Sequence, residues 1–397
     1  MQSSRAVVLI ALATAFSLLG DQMLYSVLPT YYVELGLMPY QVGLVLSVNR
    51  WVRLVTNSLA ERLCQRYNLT VLVTAALILG ATLTAVYGFV TSFSVLLIAR
   101  MLWGLSWSFI RQIGLMTVVD STSPSMIGRM VGYYNGTSRI GSVGGNFLGA
   151  LSHDVIGFTL TLVLFAIISL LGTPLGWMSR RALSHVEIEK KETGRSRWAP
   201  ELMACGFVIG CVGPGMMMAT LGVVLVETVG TSITVWGVVI GVATLNGLLL
   251  ASRWITDAFG APVLGHFSDR LGRRRSIGVY FICGMLAMLA ASFVSHPALL
   301  VVCVIVFFLC GVGATVVMTA ESGLRGSRTL AGYVTASDFG SAAGPMIGWM
   351  TQQVHLSTDW IFLIGSGMYA MGALVVLFWF GNPPVSAPLQ KGDDGFA

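Results

Sequence analysis

Apolar runs of about twenty residues or more recur along the whole chain, separated by short polar turns, and about twenty helical residues suffice to cross a hydrocarbon core of about 30 Å. Six such runs fall near 6–33, 39–63, 69–90, 93–119, 126–151 and 155–178, and six more near 199–226, 235–267, 276–294, 298–320, 330–354 and 360–381. The first is longer than a signal-peptide core and has a counterpart later in the chain, so it reads as a retained helix. Residues 179–198 carry many charges and no apolar face, which predicts a linker on the cytoplasmic side, and a polar, proline-bearing tail closes the chain at 382–397. The pattern predicts an all-α membrane protein with twelve transmembrane helices in two six-helix halves, 1–178 and 199–381.

Composition agrees, because 55% hydrophobic and only 10% charged residues lie far outside the range of soluble domains. The net charge of +6 would suggest a nucleic-acid partner only if the basic residues formed one solvent-facing patch. They alternate with the spans instead. With the N-terminus inside, Arg5, Arg62, Arg66, Arg129, Arg180, Arg181, Lys190, Lys191, Arg195, Arg197, Arg270, Arg273, Arg274, Arg275, Arg325, Arg328 and Lys391 all fall on the cytoplasmic side, and the predicted outer loops hold no Lys or Arg. Both ends are therefore expected in the cytoplasm. The six cysteines lie in or beside apolar runs without C-x-x-C spacing and read as small buried hydrophobes. The histidines lack ligand spacing, and neither a phosphate-binding G-x-x-x-x-G-K-[ST] loop nor a Ser-His-Asp set on one face is present, so no cofactor, metal, ATP site or enzymatic chemistry is expected.

The most specific stretch is the basic turn Gly265-His-Phe-Ser-Asp269-Arg270-Leu-Gly272-Arg273-Arg274-Arg275. Glycine at 265 permits close helix approach, Asp269 suits the positive end of a neighbouring helix, Gly272 suits a turn with positive φ, and the arginines suit an anionic leaflet. The turn resembles the loop motif G-x-x-x-D-R-x-G-R-R of the major facilitator superfamily, with every fixed position filled. Earlier, Glu61-Arg-Leu-Cys-Gln65-Arg66-Tyr-Asn68 takes the same place in degenerate form, with Asn68 able to adopt a left-handed turn. Asn49-Arg50-Trp51-Val52 recurs as Ser252-Arg253-Trp254-Ile255, a trace of internal repetition. Gly141, Gly145 and Gly149 around Asn146 resemble the antiporter motif of the family with Asn for Pro, and Gly340, Gly344, Pro345 and Gly348 keep the full spacing. Helix packing alone also explains such glycines. Arg100-x-x-x-Gly104 resembles the family motif whose arginine is linked to proton transfer.

Six arginines, Arg50, Arg53, Arg100, Arg111, Arg139 and Arg253, fall inside predicted spans, against three acids, Asp21, Asp257 and Asp338. An ionised side chain there is costly and faces a polar cavity or a partner. Helical spacing puts Arg50, Arg53 and Asn57 on one face, and Arg100, Trp107 and Arg111 on another. Asp21 and Tyr25 share a face of the first span. The resemblance sets the fifth helix beside the eighth and the second beside the eleventh, so Arg139 is expected to meet Asp257, Arg50 or Arg53 to meet Asp338, and Arg253 to pair with Asp257 four residues on. Three acids cannot neutralise six arginines, and the surplus favours an anionic organic substrate bound by Arg50, Arg53, Arg111 and Arg139 with Asn57, Tyr25 and Trp107. Asp21, a carboxyl near mid-membrane, is the candidate for proton coupling together with Arg100; a static pairing of Asp21 with Arg100 or Arg111 is the competing reading. The Gly20-Asp21 pair, the Asn-Arg-Trp-Val-Arg run and the glycines of the fifth span are similar to exporters of carboxylate or hydroxamate siderophores of the aerobactin kind. The resemblance implies a monomeric, proton-coupled secondary transporter in a bacterial inner membrane; a multidrug antiporter, an organic-anion importer and a non-transporting receptor are the alternatives.

Overall fold

A backbone that leaves water must pair its N–H and C=O groups within the segment, and the apolar runs do so as helices. The computed structural model describes residues 2–90, 92–123, 126–181, 183, 199–235, 237–294 and 296–379. These form α1 (Gln2–Tyr31), α2 (Pro39–Cys64), α3 (Leu69–Phe89), α4 (Phe93–Ser121), α5 (Ile127–Ile156), α6 (Phe158–Arg181), α7 (Pro200–Gly210), α8 (Met218–Val229), α9 (Val242–Ile255), α10 (Ala261–Leu271), α11 (Arg273–Ala291), α12 (Pro297–Leu324), α13 (Ser327–Gln353) and α14 (Asp359–Trp379). A π-helical turn, Cys211–Met217, makes α7 and α8 continuous, and a second, Thr256–Gly260, joins α9 to α10. The fourteen helices are therefore twelve continuous rods among the described residues.

Eight stretches are long and apolar enough to cross a membrane: α1, α3, α4, α6, the α7–α8 rod, α11, α12 and α14. The four rods that miss this standard, α2, α5, α9–α10 and α13, hold Arg50, Arg53, Arg139, Arg253, Asp257 and Asp338. Their polarity has a structural counterpart, since α2 packs on α13 and α5 on α9, which places their charged faces towards one another. Low hydropathy here marks a lining of polar space rather than a soluble helix.

Three features differ from the pattern-based expectation. The eighth rod begins at Val242, not near 235, because Ser232–Val235 and Val238–Gly241 pair as an antiparallel hairpin, β1 and β2, turning at Gly237 with φ of 81°. Ile233, Thr234, Val235, Val238, Val239 and Ile240 are β-branched and favour that conformation. The helix α6 continues to Arg181, past the expected end of the sixth span at 178, and Ser179 and Arg180 are buried. Asn68 is not left-handed: at φ of −62° it caps α3, its Oδ1 accepting from the N–H of Thr70 at 2.8 Å and of Val71 at 3.3 Å. The expected positions in 184–198 and 382–397 lie outside the described residues.

The glycine stripes are close-packing surfaces. A side chain at Gly141 would strike the backbone of Ala15, at Gly145 that of Leu19 and at Gly149 the side chain of Met23, all on α1. Gly340, Gly344 and Gly348 meet Phe207, Cys211 and Thr220 of the α7–α8 rod in the same way. Pro345 lies within α13, and its carbonyl lies beside Gly43 of α2.

Candidate functional site

Where α2, α4, α5, α9–α10 and α13 face one another, five arginines and two acids converge. Arg53 Nη2 lies 3.8 Å from Asp338, and Arg139 Nε lies 3.2 Å from Asp257, so both expected contacts between facing rods are present. Arg50 reaches further. Its Nη1 donates to the carbonyls of Pro214 and Ser341 at 2.7 Å each. Pro214 lies in the first π-helical turn, and its missing N–H frees the carbonyl of Gly210 one turn earlier, which accepts from Ser341 Oγ at 3.2 Å.

One expectation is corrected: Arg253 is not the partner of Asp257. Arg139 takes that carboxylate, and the guanidiniums of Arg253 and Arg139 lie against the indole of Trp254, at 4.5 and 4.3 Å from its centroid. Arg253 thus lies on the ring with Asp257 within electrostatic reach but beyond ion-pair distance, and its Nη1 has no hydrogen-bond partner. Arg111 forms no hydrogen bond or ion pair among the described residues, although it lies within electrostatic reach of both Arg53 and Arg139. Arg50 lies within the same reach of Arg53 and Arg253. Asp338, Arg139 and Asp257 keep 33%, 40% and 27% of their side chains exposed although they sit mid-helix on facing rods, so open space reaches them. Two carboxylates against Arg50, Arg53, Arg111, Arg139 and Arg253 leave a surplus of three positive charges. At an effective dielectric constant of about 20, like charges about 8 Å apart repel by about 2 kcal/mol, which an anion in this space would offset.

The half-exposed Arg139–Asp257 pair supplies a first test. Because solvent screens it, a double-mutant cycle with Arg139→Gln and Asp257→Asn in thermal unfolding is expected to return a coupling of about 0.5–1 kcal/mol rather than the several expected for a buried pair. Strict additivity would show that the contact carries no energy.

Asp21 belongs to a dry site that adjoins the arginine cluster through Tyr25. It is 3% exposed and pairs with Arg100, which is fully buried; Gln22 Nε2 donates to it at 3.0 Å and Asn49 Nδ2 at 3.4 Å. Arg100 Nε donates to Val45 O at 3.1 Å, and its guanidinium lies against the rings of Tyr25, Tyr87 and Trp103. Tyr25 is buried between this pair and the arginine cluster: its hydroxyl donates to Leu46 O at 3.0 Å, and the guanidinium of Arg50 lies 5.1 Å from its ring centroid. Asn57 accepts from Ser108 Oγ at 2.8 Å, and Trp107 stacks on Trp103 with centroids 5.7 Å apart.

In the basic turn, Gly272 has the expected positive φ, 86°. A side chain at Gly265, however, would meet only Val316 at 3.5 Å, an ordinary contact, so close helix approach does not require glycine there. Asp269 is 68% exposed and lies 3.9 Å from Arg273, which also approaches Glu321 at 3.6 Å. Arg274 donates to Leu377 O at 2.8 Å, and Arg270 is exposed. In the degenerate copy, Gln65 closes α2 and Arg66 is exposed.

Sequence reasoning missed the contacts that seal the opposite end. Asp154 at the end of α5 accepts from the N–H of Thr244 at 2.9 Å and from its hydroxyl, capping the first turn of α9. Asn246 donates to Ser26 O at 2.7 Å, the N–H of Tyr40 to Gln353 at 3.3 Å, and Tyr32 packs edge-on to Trp349. Only the fold brings 154 beside 244; the signal was an acid at one helix end and a bare N-terminus far along the chain. Removing such a cap costs about 1 kcal/mol. Asp154→Ala is therefore expected to shift molecules towards an arrangement open at this end, read as a longer distance between spin labels at positions 40 and 353; an unchanged distance distribution would rule out the latch.

The model of the Major Facilitator Superfamily matches residues 10–324 and 244–396. Myo-inositol transporter 3A of Cryptococcus neoformans var. grubii is 30% identical over 181 residues, 42% of this chain, and the match spans 29% of that transporter's length. Among solved structures, an inward-facing, unoccupied bacterial homologue of the human lysosomal transporter Spinster superposes with a TM-score of 0.75 at 14% identity, covering 95% of this chain and 98% of that one. The nucleoside transporter NupG gives 0.71 at 12% identity, covering 94% and 100%. At these identities the superpositions establish the fold alone. With the family match running through nearly the whole sequence and the same fold in both solved structures, the chain belongs to the Major Facilitator Superfamily of multi-pass membrane proteins.

Proposed function

We propose that the protein is a secondary active transporter of an anionic organic molecule, a carboxylate or hydroxamate siderophore of the aerobactin kind, exported in exchange for protons. The observation that carries this is the cluster of five arginines with two acids between facing rods. Guanidinium forks match carboxylates in geometry as well as charge. A neutral polyol, the substrate named for the myo-inositol relative, has no use for three surplus charges, and a cationic drug would be repelled by them.

The topology belongs to the same proposal: twelve spans in two halves, 1–178 and 199–381, with a cytoplasmic linker and tail, in a bacterial inner membrane. Recurring packing supports two halves, since α1–α5 and α3–α6 are matched by α7–α13 and α11–α14. Arginines at one end and none in the described turns of the other support cytoplasmic ends. The seal at the arginine-free end supports a substrate space that faces the cytoplasm, from which an exporter loads. Asp21 and Arg100 are the proposed coupling pair.

Comparing metabolites released by cells with and without the protein tests the substrate, followed by flux of the identified compound in proteoliposomes. A polycarboxylate or hydroxamate chelator is expected. Export of a neutral or cationic compound would overturn the anion assignment, and ligand binding without flux would favour a receptor.

A further inference from the structure

At the arginine-bearing end, away from the substrate space, the close of α2, the turn to α3 and the close of α6 enclose a hollow of about 350 Å³. It is lined by Gln65, Arg66, Asn68, Thr70, Arg180 and Arg181, among others, and no carboxylate lines it among the described residues. Arg180 is 3% exposed; its Nη1 donates to Asp120 at 2.6 Å, while its buried Nε has no hydrogen-bond partner. Arg66 is exposed and forms no ion pair among the described residues, and Arg181 lies over the ring of Trp177 at 4.6 Å. One neutralised and two unneutralised guanidiniums thus face one small volume beside the first turn of α3, whose helix dipole adds positive potential.

We infer that this hollow binds the phosphate group of an anionic phospholipid. A phosphate offers several oxygens to guanidinium forks, and basic pockets between helices at the cytoplasmic face suit anionic headgroups. A route for the acyl chains adjoins it: Val71 and Ile78 of α3 and Leu171 and Trp177 of α6 are exposed apolar side chains on two helices packed together. Trp177, at the close of α6, has the amphipathic ring that settles at headgroup level. A bound headgroup would tie the α2–α3 turn to α6 and so steady the cytoplasmic end of α2, the helix whose face carries Arg50 and Arg53. The inference is independent of which substrate is carried.

The test uses the purified full-length protein in zwitterionic phosphatidylcholine micelles, titrated with phosphatidylglycerol or with inorganic phosphate, with binding read by native mass spectrometry and by thermal shift. Phosphatidylglycerol is expected to bind and stabilise, and inorganic phosphate at the same concentration is not. Arg66→Gln with Arg181→Gln should weaken phosphatidylglycerol binding about thirtyfold, the effect of two interfacial arginines. Arg129→Gln, an exposed arginine at the same end outside the hollow, should leave it unchanged. Equal binding by the double variant, or equal loss in Arg129→Gln, would overturn the site. Stabilisation by inorganic phosphate alone would overturn its assignment to lipid.

Discussion

Replacing Asp21 by Asn is expected to eliminate substrate accumulation driven by a proton gradient while leaving substrate binding measurable. The amide keeps the shape of a protonated acid but has no proton to release. The structure adds a second expected effect. Arg100 has Asp21 as its carboxylate partner, both are buried, and breaking such a pair from one side costs about 3–5 kcal/mol, a large share of the stability of a typical fold. Asp21→Asn should therefore melt well below the wild type, and Asp21→Asn with Arg100→Gln should recover much of that stability without recovering gradient-driven flux. This separation distinguishes a coupling pair from a static one, because a merely structural pair would regain transport along with stability. Since the carboxylate is 3% exposed and held by Arg100, Gln22 and Asn49 here, its proton exchange requires another arrangement of the helices. Gradient-driven accumulation by Asp21→Asn at the wild-type rate would move the coupling role to Asp257 or Asp338.

Arg111→Ala is expected to weaken binding of an anionic substrate about 10- to 150-fold with little change in melting temperature. A hydrogen bond from a charged group contributes about 1.5–3 kcal/mol, and Arg111 spends none on the protein among the described residues. Arg50 and Arg53 are less clean probes than their positions in the sequence suggest. Arg50→Ala would leave the carbonyls of Pro214 and Ser341 without their donor, and Arg53→Ala would leave Asp338 unpaired, so both should lose stability as well as transport. Wild-type affinity in Arg111→Ala, measured by equilibrium binding of the exported compound, would remove the central argument for an anion site there.

Much of the architecture was legible because a membrane helix announces itself by length and apolarity, and the ends of most rods fall within a few residues of the hydropathy runs. The hairpin at 232–241 was not, since a β-branched stretch next to an apolar helix carries the same hydropathy as the helix. The rods that fail a strict hydropathy standard, α2, α5, α9–α10 and α13, were still recognisable as polar-faced helices from the spacing of their arginines and acids.

The sequence by itself determined the inventory: charges inside apolar segments, more arginines than acids, glycines at helical intervals, and basic residues confined to alternate turns. Those follow from local periodicity and from the cost of an ion in hydrocarbon, which need no neighbour to be stated. Tertiary structure alone decided how the charges are spent. Asp257 could have served Arg253 on its own rod, but Arg139 arrives from α5 and Trp254 takes up Arg253. Pro214 becomes an acceptor for Arg50 because the fold sets its π-helical turn against α2, and Arg111 is left without a hydrogen bond or ion pair among the described residues. Pairing depends on distances of 3–4 Å between residues tens to hundreds of positions apart, and no spacing along one helix encodes them.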